Sequence, residues 1–331
     1  MKIMETCKEV LGQDHRNTLA SMDDLAVTYG RQGRWKEAEE LGVKVMEASK
    51  GVLGQDHLYT LAFTANLAAT YRNQGRWKEA EELGVKIMET SKEALGQDNP
   101  NTLSCMANLA KTYRNQGRWK EAEELGVKIM ETSKEVLGQD HPDTLACMAN
   151  LAATYRNQGR WKEAEELGVK VMETSKGVLG QDHPCTLAFT ASLTATYRNQ
   201  GRWKEAEELG VKIMETSKEA LGQDNPNTLA CMTNLAETYR NQGRWEEAEE
   251  LGVKIMETSK EVLGQDHPNT LANLASLACT RRSQGRVAEA ITMLAQASNT
   301  YAGLFGDDHP NSKNWVTILK MWKDGSSRGA S

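Results

Sequence analysis

Apolar residues along this chain recur in two alternating helical registers. In the stretch HPDTLACMANLAATYRNQGRWKEAEELGVKVMETSKGVLGQD, residues 141–182, Leu145, Met148, Leu151, Ala152 and Tyr155 fall three or four apart. That spacing predicts an amphipathic helix from about Asp143 to Asn157. Gln158-Gly159 follows as a turn, and a second helix is predicted from about Trp161 to Leu179, with Gly180 stopping it. Its expected buried stripe is Trp161, Ala164, Leu167, Val171 and Met172, with Val178 and Leu179 near the end. Glu166 precedes Lys170 by four and should form a small surface pair. Asp182-His183-Pro184 then offers a capping side chain and a first-turn proline for the next helix. Gly168, inside the second helix, costs about 1 kcal/mol relative to alanine. Close approach of a neighbouring helix is the expected compensation.

The pattern is periodic. Trp35, Trp77, Trp119, Trp161, Trp203 and Trp245 lie 42 residues apart, and Val287 takes the next place. The words YRNQGRWKEAEELG return unchanged from Tyr71, Tyr113, Tyr155 and Tyr197, with Glu246 altering the copy from Tyr239 and a rougher copy from Tyr29. A fixed period of this size signals a solenoid of stacked helix pairs. A second period of 126 residues relates three-unit blocks: residues 51–92 and 177–218 differ only at Leu58/Pro184, Tyr59/Cys185, Asn66/Ser192 and Ala68/Thr194. Residues 1–308 therefore read as an array, with 1–14 a partial second helix and about seven helix pairs after it. Because Met1–Leu11 aligns inside a helix, a fragment of a longer protein is expected. Residues 309–323 read as a capping helix with Trp315, Leu319 and Trp322 inward and Lys313, Lys320 and Lys323 outward. Residues 324–331 read as a disordered tail and a true C-terminus.

The words NLAxTYxxQGxxxEAExL resemble the tetratricopeptide signature: small residues at Ala152 and Ala164, a large one at Tyr155 and glycine at the turn. The 42-residue unit and the LGxDHPxT linker resemble kinesin light chain repeats, and the units are most similar to the long arrays of fungal NOD-like receptor proteins. The resemblance covers almost the whole chain. It implies an all-α, right-handed superhelical α-solenoid of helix-turn-helix repeats, and it implies fold far more strongly than function.

Composition removes several function classes. The net charge is −6 with no isolated basic run, which argues against nucleic acid or an anionic membrane as partner. No apolar stretch approaches the length of about 18 residues that suggests a membrane span, and no secretory signal opens the chain. The six cysteines lack metal or disulfide spacing and read as reduced thiols of a cytoplasmic protein. His15, His57, His141, His183, His267 and His309 occupy one linker position, where Asn99 and Asn225 stand in for them. Substitution by Asn points to capping, and no metal site is expected. The KEAEE carboxylates are expected on a solvated face beside lysines, not in a catalytic cleft. The tryptophans are expected to pack against the first helix of their own unit. No nucleotide-binding or nucleophile motif is present, so neither enzyme activity nor a cofactor is expected.

What remains is the face of the first helix in each unit, which the resemblance places along an inner groove. Spacing of i, i+4, i+7, i+11 selects Asn66 and Asn73; Asn108, Lys111 and Asn115; Asn150 and Asn157; Asn199; and Asn234, Glu237 and Asn241. Small residues separate these amides, and asparagine satisfies both the N–H and the C=O of a peptide. In kinesin light chains and other tetratricopeptide proteins, the asparagines matching Asn66, Asn108, Asn150 and Asn234 contact an extended peptide; the match stops at Asp24, Ser192 and Ser276. The competing reading is that these amides only cap or bridge helices. Specificity is assigned to the varying positions Lys111, Glu237, Val27 and Cys279. The groove should hold little charge and suit a partly apolar peptide. The expected role is a protein interaction scaffold, as the recognition region of a larger NOD-like receptor type protein. The alternatives are a kinesin-light-chain-like cargo adaptor and a self-associating solenoid stacked through its open N-terminal face.

Overall fold

The computed structural model describes residues 2–327, which form sixteen helices and, among the described residues, no strand. After α1 (Lys2–Leu11) the helices alternate between two kinds. The first kind, here helix A, comprises α2 (Arg16–Arg31), α4 (Leu58–Asn73), α6 (Pro100–Asn115), α8 (Pro142–Asn157), α10 (Pro184–Asn199), α12 (Pro226–Asn241) and α14 (Pro268–Ser283). The second, helix B, comprises α3 (Trp35–Val52), α5 (Trp77–Leu95), α7 (Trp119–Val136), α9 (Trp161–Val178), α11 (Trp203–Leu221), α13 (Trp245–Leu263) and α15 (Val287–Phe305). The terminal helix α16 runs Pro310–Ser327, four residues beyond the expected cap; the rest of the expected tail, 328–331, lies outside the described residues.

The chain divides into two compact units, one up to Thr154 and one from Tyr155 on. In the first, α1 to α7 pack each on the next; in the second, α9 to α16 do the same, so each unit is an α-solenoid of stacked helix pairs. Helix A also touches the helix A of the next pair, as α2 does α4 and α4 does α6, and as α10 does α12 and α12 does α14. No comparable contact joins successive helices B among the described residues, so the helix-A face is locally the more closely drawn side.

Local chemistry explains the joints. The linker residue ahead of each helix A is its N-cap: Asn99 Oδ1 accepts from the Asn101 amide at 2.9 Å, and His183 Nδ1 accepts from the Cys185 amide at 3.2 Å. This satisfies one of the amides that a helix start leaves open, and it accounts for the linker histidines and for Asn in their place. The linker threonine is fully buried and ties both ends together: Thr102 Oγ1 donates to Gly96 O at 2.8 Å and lies 3.2 Å from Ser91 O. Gly96 turns with φ of +91° and Gly159 with +77°, values that a residue with a Cβ adopts rarely.

Packing bears out the reason for the glycine inside helix B. A Cβ on Gly168 would lie 3.2 Å from Leu193 Cδ1 of the next helix A, and one on Gly84 would lie 3.2 Å from Leu109 Cδ1. The leucines filling these hollows, Leu109, Leu151 and Leu193, are almost wholly buried. Around them sit clusters such as Leu103, Met106 and Ile129 in the first unit and Leu229, Met232 and Ile255 in the second.

The structure refines three expectations about side chains. Trp119, Trp161 and Trp245 are exposed at 41–42%, although Trp35 is buried. Trp77 and Trp203 are half-buried, and Trp35 Nε1 donates to Gly30 O at 3.2 Å, on the first helix of its own pair as expected. The KEAEE carboxylates are also not simply solvated. Gln74 Nε2 donates to Glu39 at 2.8 Å and Arg76 to the other Glu39 oxygen at 2.6 Å, while Arg76 also pairs with Glu79 at 2.8 Å and covers the Tyr71 ring at 4.3 Å. The same clamp recurs with Gln116, Arg118 and Glu81, and with Gln242, Arg244 and Glu207. Within each unit the YRNQGRWKEAEE words thus bolt a pair to the previous helix B. Finally, Glu166 and Lys170 form no ion pair and are both exposed, whereas Arg160 and Glu163 pair at 2.8 Å.

At the C-terminal end the divergent sequence builds a different core. Tyr301 is buried and meets Phe305, His309 and Trp315 edge-on, with ring centroids 4.5–5.0 Å apart. Trp315 and Leu319 are buried, Trp322 is half-buried and Lys313, Lys320 and Lys323 are exposed.

Candidate functional site

The candidate groove residues fall into two tiers. Asn66, Asn108 and Asn150 in the first unit are half-buried near the middle of helix A, as is Asn234 in the second. Asn73 and Asn115 in the first unit, and Asn157, Asn199 and Asn241 in the second, end their helices and are exposed. Lys111 and Glu237 are half-buried, one turn beyond Asn108 and Asn234.

Asn66 is already engaged. Its Nδ2 donates to Asp23 Oδ2 at 2.7 Å, bridging α2 and α4. Asp23 is a buried carboxyl pushed up to about 6, mainly by burial, with the Asn66 amide opposing and Asp24 adding to the rise. For Asn66 the bridging role is therefore realised in the structure. Asn108 and Asn150 line small pockets where two helices A meet the helix B between them. One is lined by Arg72, Cys105, Asn108 and Gly84, among others. The next is lined by Lys111, Arg114, Cys147 and Asn150. In the second unit Asn234 lines a wider hollow of ≈ 660 Å³ with Leu229, Ala230, Leu263 and Ala272.

A row of arginines on helix A was missed by the sequence pattern. Arg114 Nη1 donates to the backbone oxygen of Asn150 at 3.3 Å, and Arg198 Nη1 to that of Asn234 at 3.2 Å. Arg156 reaches Ser192 O at 2.9 Å. Each arginine precedes the final Asn of helix A and lies beside the selected stripe. Its constant recurrence in YRNQ made it look like part of the joint.

These arginines overturn the expectation of a nearly uncharged face. In the first unit Arg72 lines one of the small pockets, and Lys111 and Arg114 the next. Burial holds all three below their ordinary values; Arg114 further lowers Arg72, and both arginines further lower Lys111. In the second unit Arg198 instead grips Glu237 at 2.7 Å, with side chains 15% and 31% exposed. Among the described residues no His, Cys, Asp and Glu group has the arrangement to hold a metal ion, and no helix is long and apolar enough to cross a membrane. The cysteines are free thiols, with Cys105 and Cys147 beside Ser91 and Ser133.

Comparison with known proteins agrees with this architecture. A tetratricopeptide repeat model matches residues 58–132, 105–176, 144–210, 187–254 and 230–303, and a second matches 18–59. No curated protein matches the chain. Among solved structures, the nearly identical TPR-like repeats of a candidate kinesin light chain from Podosopora anserina are 29% identical, covering 61% of this chain and 95% of that one, with a TM-score of 0.52. NprR in complex with its cognate peptide NprX is 15% identical over 93% of this chain and 84% of its own, with a TM-score of 0.58. A STAND protein with a tetratricopeptide repeat sensor from Pyrococcus horikoshii is 14% identical over 97% of this chain and 45% of its own, at 0.56. The last two share the fold alone.

Proposed function

The chain belongs to the tetratricopeptide repeat family, and from that premise we propose that its helix-A face binds an extended, partly apolar peptide segment of a protein partner. The chain is a protein–protein interaction scaffold of the kinesin-light-chain-like repeat type. The observation that carries the finer reading is the placement of half-buried amides beside hollows: Asn108 and Asn150 in successive pockets of one unit, and Asn234 beside apolar Leu229, Ala230 and Leu263 in the other. An amide so placed offers a backbone both a donor and an acceptor, and the wider hollow beside Asn234 has room for a side chain. NprR, which is described with a bound cognate peptide, supports the reading through a shared fold. The exposed Asn73, Asn115, Asn157, Asn199 and Asn241 would form the rim.

The wider setting belongs to the same proposal: a cytoplasmic array acting as the recognition region of a larger protein of the NOD-like receptor type. The Pyrococcus protein, whose own description includes a repeat sensor, supports this only through fold. A cargo adaptor of the kinesin light chain kind is the second reading, favoured by the 29% identity to the Podosopora repeats.

The test selects peptides from a displayed random library on the full chain and measures the best one by fluorescence anisotropy. Asn108→Ala combined with Asn150→Ala should weaken it by at least about tenfold, the worth of 1.4 kcal/mol over two hydrogen-bonding amides. Affinity unchanged in the double variant would discard the groove.

A further inference from the structure

One exchange inside the repeated words serves neither the stacking of the helix pairs nor the helix-A face. Lys36, Lys78, Lys120, Lys162 and Lys204 each follow the tryptophan that opens their helix B, but Glu246 follows Trp245. A carboxylate in the first turn suits a helix start, yet five other helices B form with lysine in that place, so α13 does not require it. Trp245 is 42% exposed, and together with Glu246 it lines an open hollow of ≈ 690 Å³ where the start of α13 meets the joint between α14 and α15. Arg244, Glu247, Glu249 and Arg286 also line it. Both guanidiniums are already held. Arg244 donates to Glu247 at 2.6 Å and to Glu207 at 2.5 Å, and Arg286 pairs with Glu249 at 2.7 Å and Glu289 at 2.6 Å. Glu246 is exposed and forms no ion pair among the described residues, and Glu250, one turn further on, adds a like charge. The charged residues lining the hollow carry a net charge of −1, whereas their counterparts one pair earlier, with Lys204 among them, carry +1.

We infer that the hollow beside Trp245 and Glu246 receives a basic side chain, arginine before lysine, from a protein partner. The cation lies over the exposed indole and Glu246 accepts its N–H groups. A planar guanidinium does both at once, stacking on the ring and presenting a fork to the carboxylate, while an ammonium offers only a point charge. The arginines of the hollow cannot take the place of the incoming cation, because each is bound between two glutamates and Arg244 also covers the Tyr239 ring at 4.3 Å. The exchange of lysine for Glu246 supplies the one carboxylate of the hollow that is left without a cation. This surface lies at the start of a helix B and does not rest on the peptide-binding reading of the helix-A face.

The experiment titrates the full chain with N-acetyl-arginine methylamide, and with its lysine and norleucine analogues, at constant ionic strength. The indole N–H resonance of Trp245, assigned by its loss in Trp245→Phe, is followed by NMR. A saturable shift is expected with both basic probes, tighter for arginine, and none with norleucine. Glu246→Lys restores the residue that five other helices B carry and should therefore fold. It is expected to weaken the arginine probe by about fivefold or more, the scale of exchanging an exposed attraction for a repulsion. Glu246→Gln should fall between the two, and the affinity of the wild-type chain should drop at high salt. A Trp245 resonance that does not saturate, that moves equally with norleucine, or that responds to arginine unchanged in Glu246→Lys overturns the site.

Discussion

The two units were built from near copies of one block, yet their helix-A faces differ in electrostatic state. On α10 and α12 an arginine meets a glutamate, and the pair is closed at 2.7 Å. On α4 and α6 the corresponding arginine meets a lysine, and three cations share a partly desolvated surface. The scaffold tolerates both because the stacking forces lie elsewhere: in the leucine-over-glycine contacts, the buried linker threonines and the Gln/Arg clamps on helix B. A repeat protein whose fold is secured by its joints can vary one face with little penalty. The difference of a single charge at one register then separates a surface with a closed ion pair from one where the corresponding cations have no such partner.

The comparison is most severely tested by removing the shared arginine. Arg198→Ala should cost about 2–4 kcal/mol in urea unfolding, because it strands a half-buried Glu237 and deletes a buried side-chain stem. Arg72→Ala should be neutral or stabilising, since it relieves repulsion; equal costs at the two sites would refute the electrostatic contrast.

A second contrast lies one pair earlier, where Asp23 is buried against Asn66. Its folded value of about 6 lies above the ordinary value of 3.8, so the folded state holds the proton more tightly. Its contribution is full below 3.8 and is lost as pH rises through about 6. Asp23→Asn should therefore stabilise the protein by about 1–3 kcal/mol at pH 7 and by much less at pH 4. Thermal melts at the two pH values measure this, and a gain that does not depend on pH contradicts it.

Lys111→Glu should raise stability by about 1 kcal/mol at low salt, the scale of a partly exposed ion pair together with removal of like-charge repulsion. The gain should shrink at high salt, and urea midpoints at two ionic strengths read it out. The smallest effect is expected where the units agree. Gly84→Ala and Gly210→Ala place a Cβ 3.2 and 3.3 Å from Leu109 and Leu235. Helix propensity gains about 1 kcal/mol and crowding offsets it, so both changes should stay within about 1 kcal/mol of wild type and of each other.

Much of the molecule was legible in its letters. Helix pairs, the turn glycine, the linker cap and the close approach at Gly168 all depend on residues near one another in the chain or on the repeat itself. The capping histidine was readable because Asn99 and Asn225 replace it with the same kind of acceptor. The tryptophans were legible only in part, because periodicity reports which face a residue is on but not how much of the ring its neighbours cover. The carboxylates misled for a related reason: Glu39 looks solvated within its own helix, and its partners Gln74 and Arg76 stand 35 and 37 residues later.

Sequence alone determined the unit, its period and its two helices, since amphipathic spacing and turn chemistry are local and repeated. It also displayed the exchange of Lys111 for Glu237 without indicating its importance. Only the tertiary structure decided that, because stacking brings Arg198 against Glu237, and so identifies Arg72 as the cation facing Lys111. Charge at a helix surface acquires meaning from the neighbour across the groove, and the neighbour is set by packing.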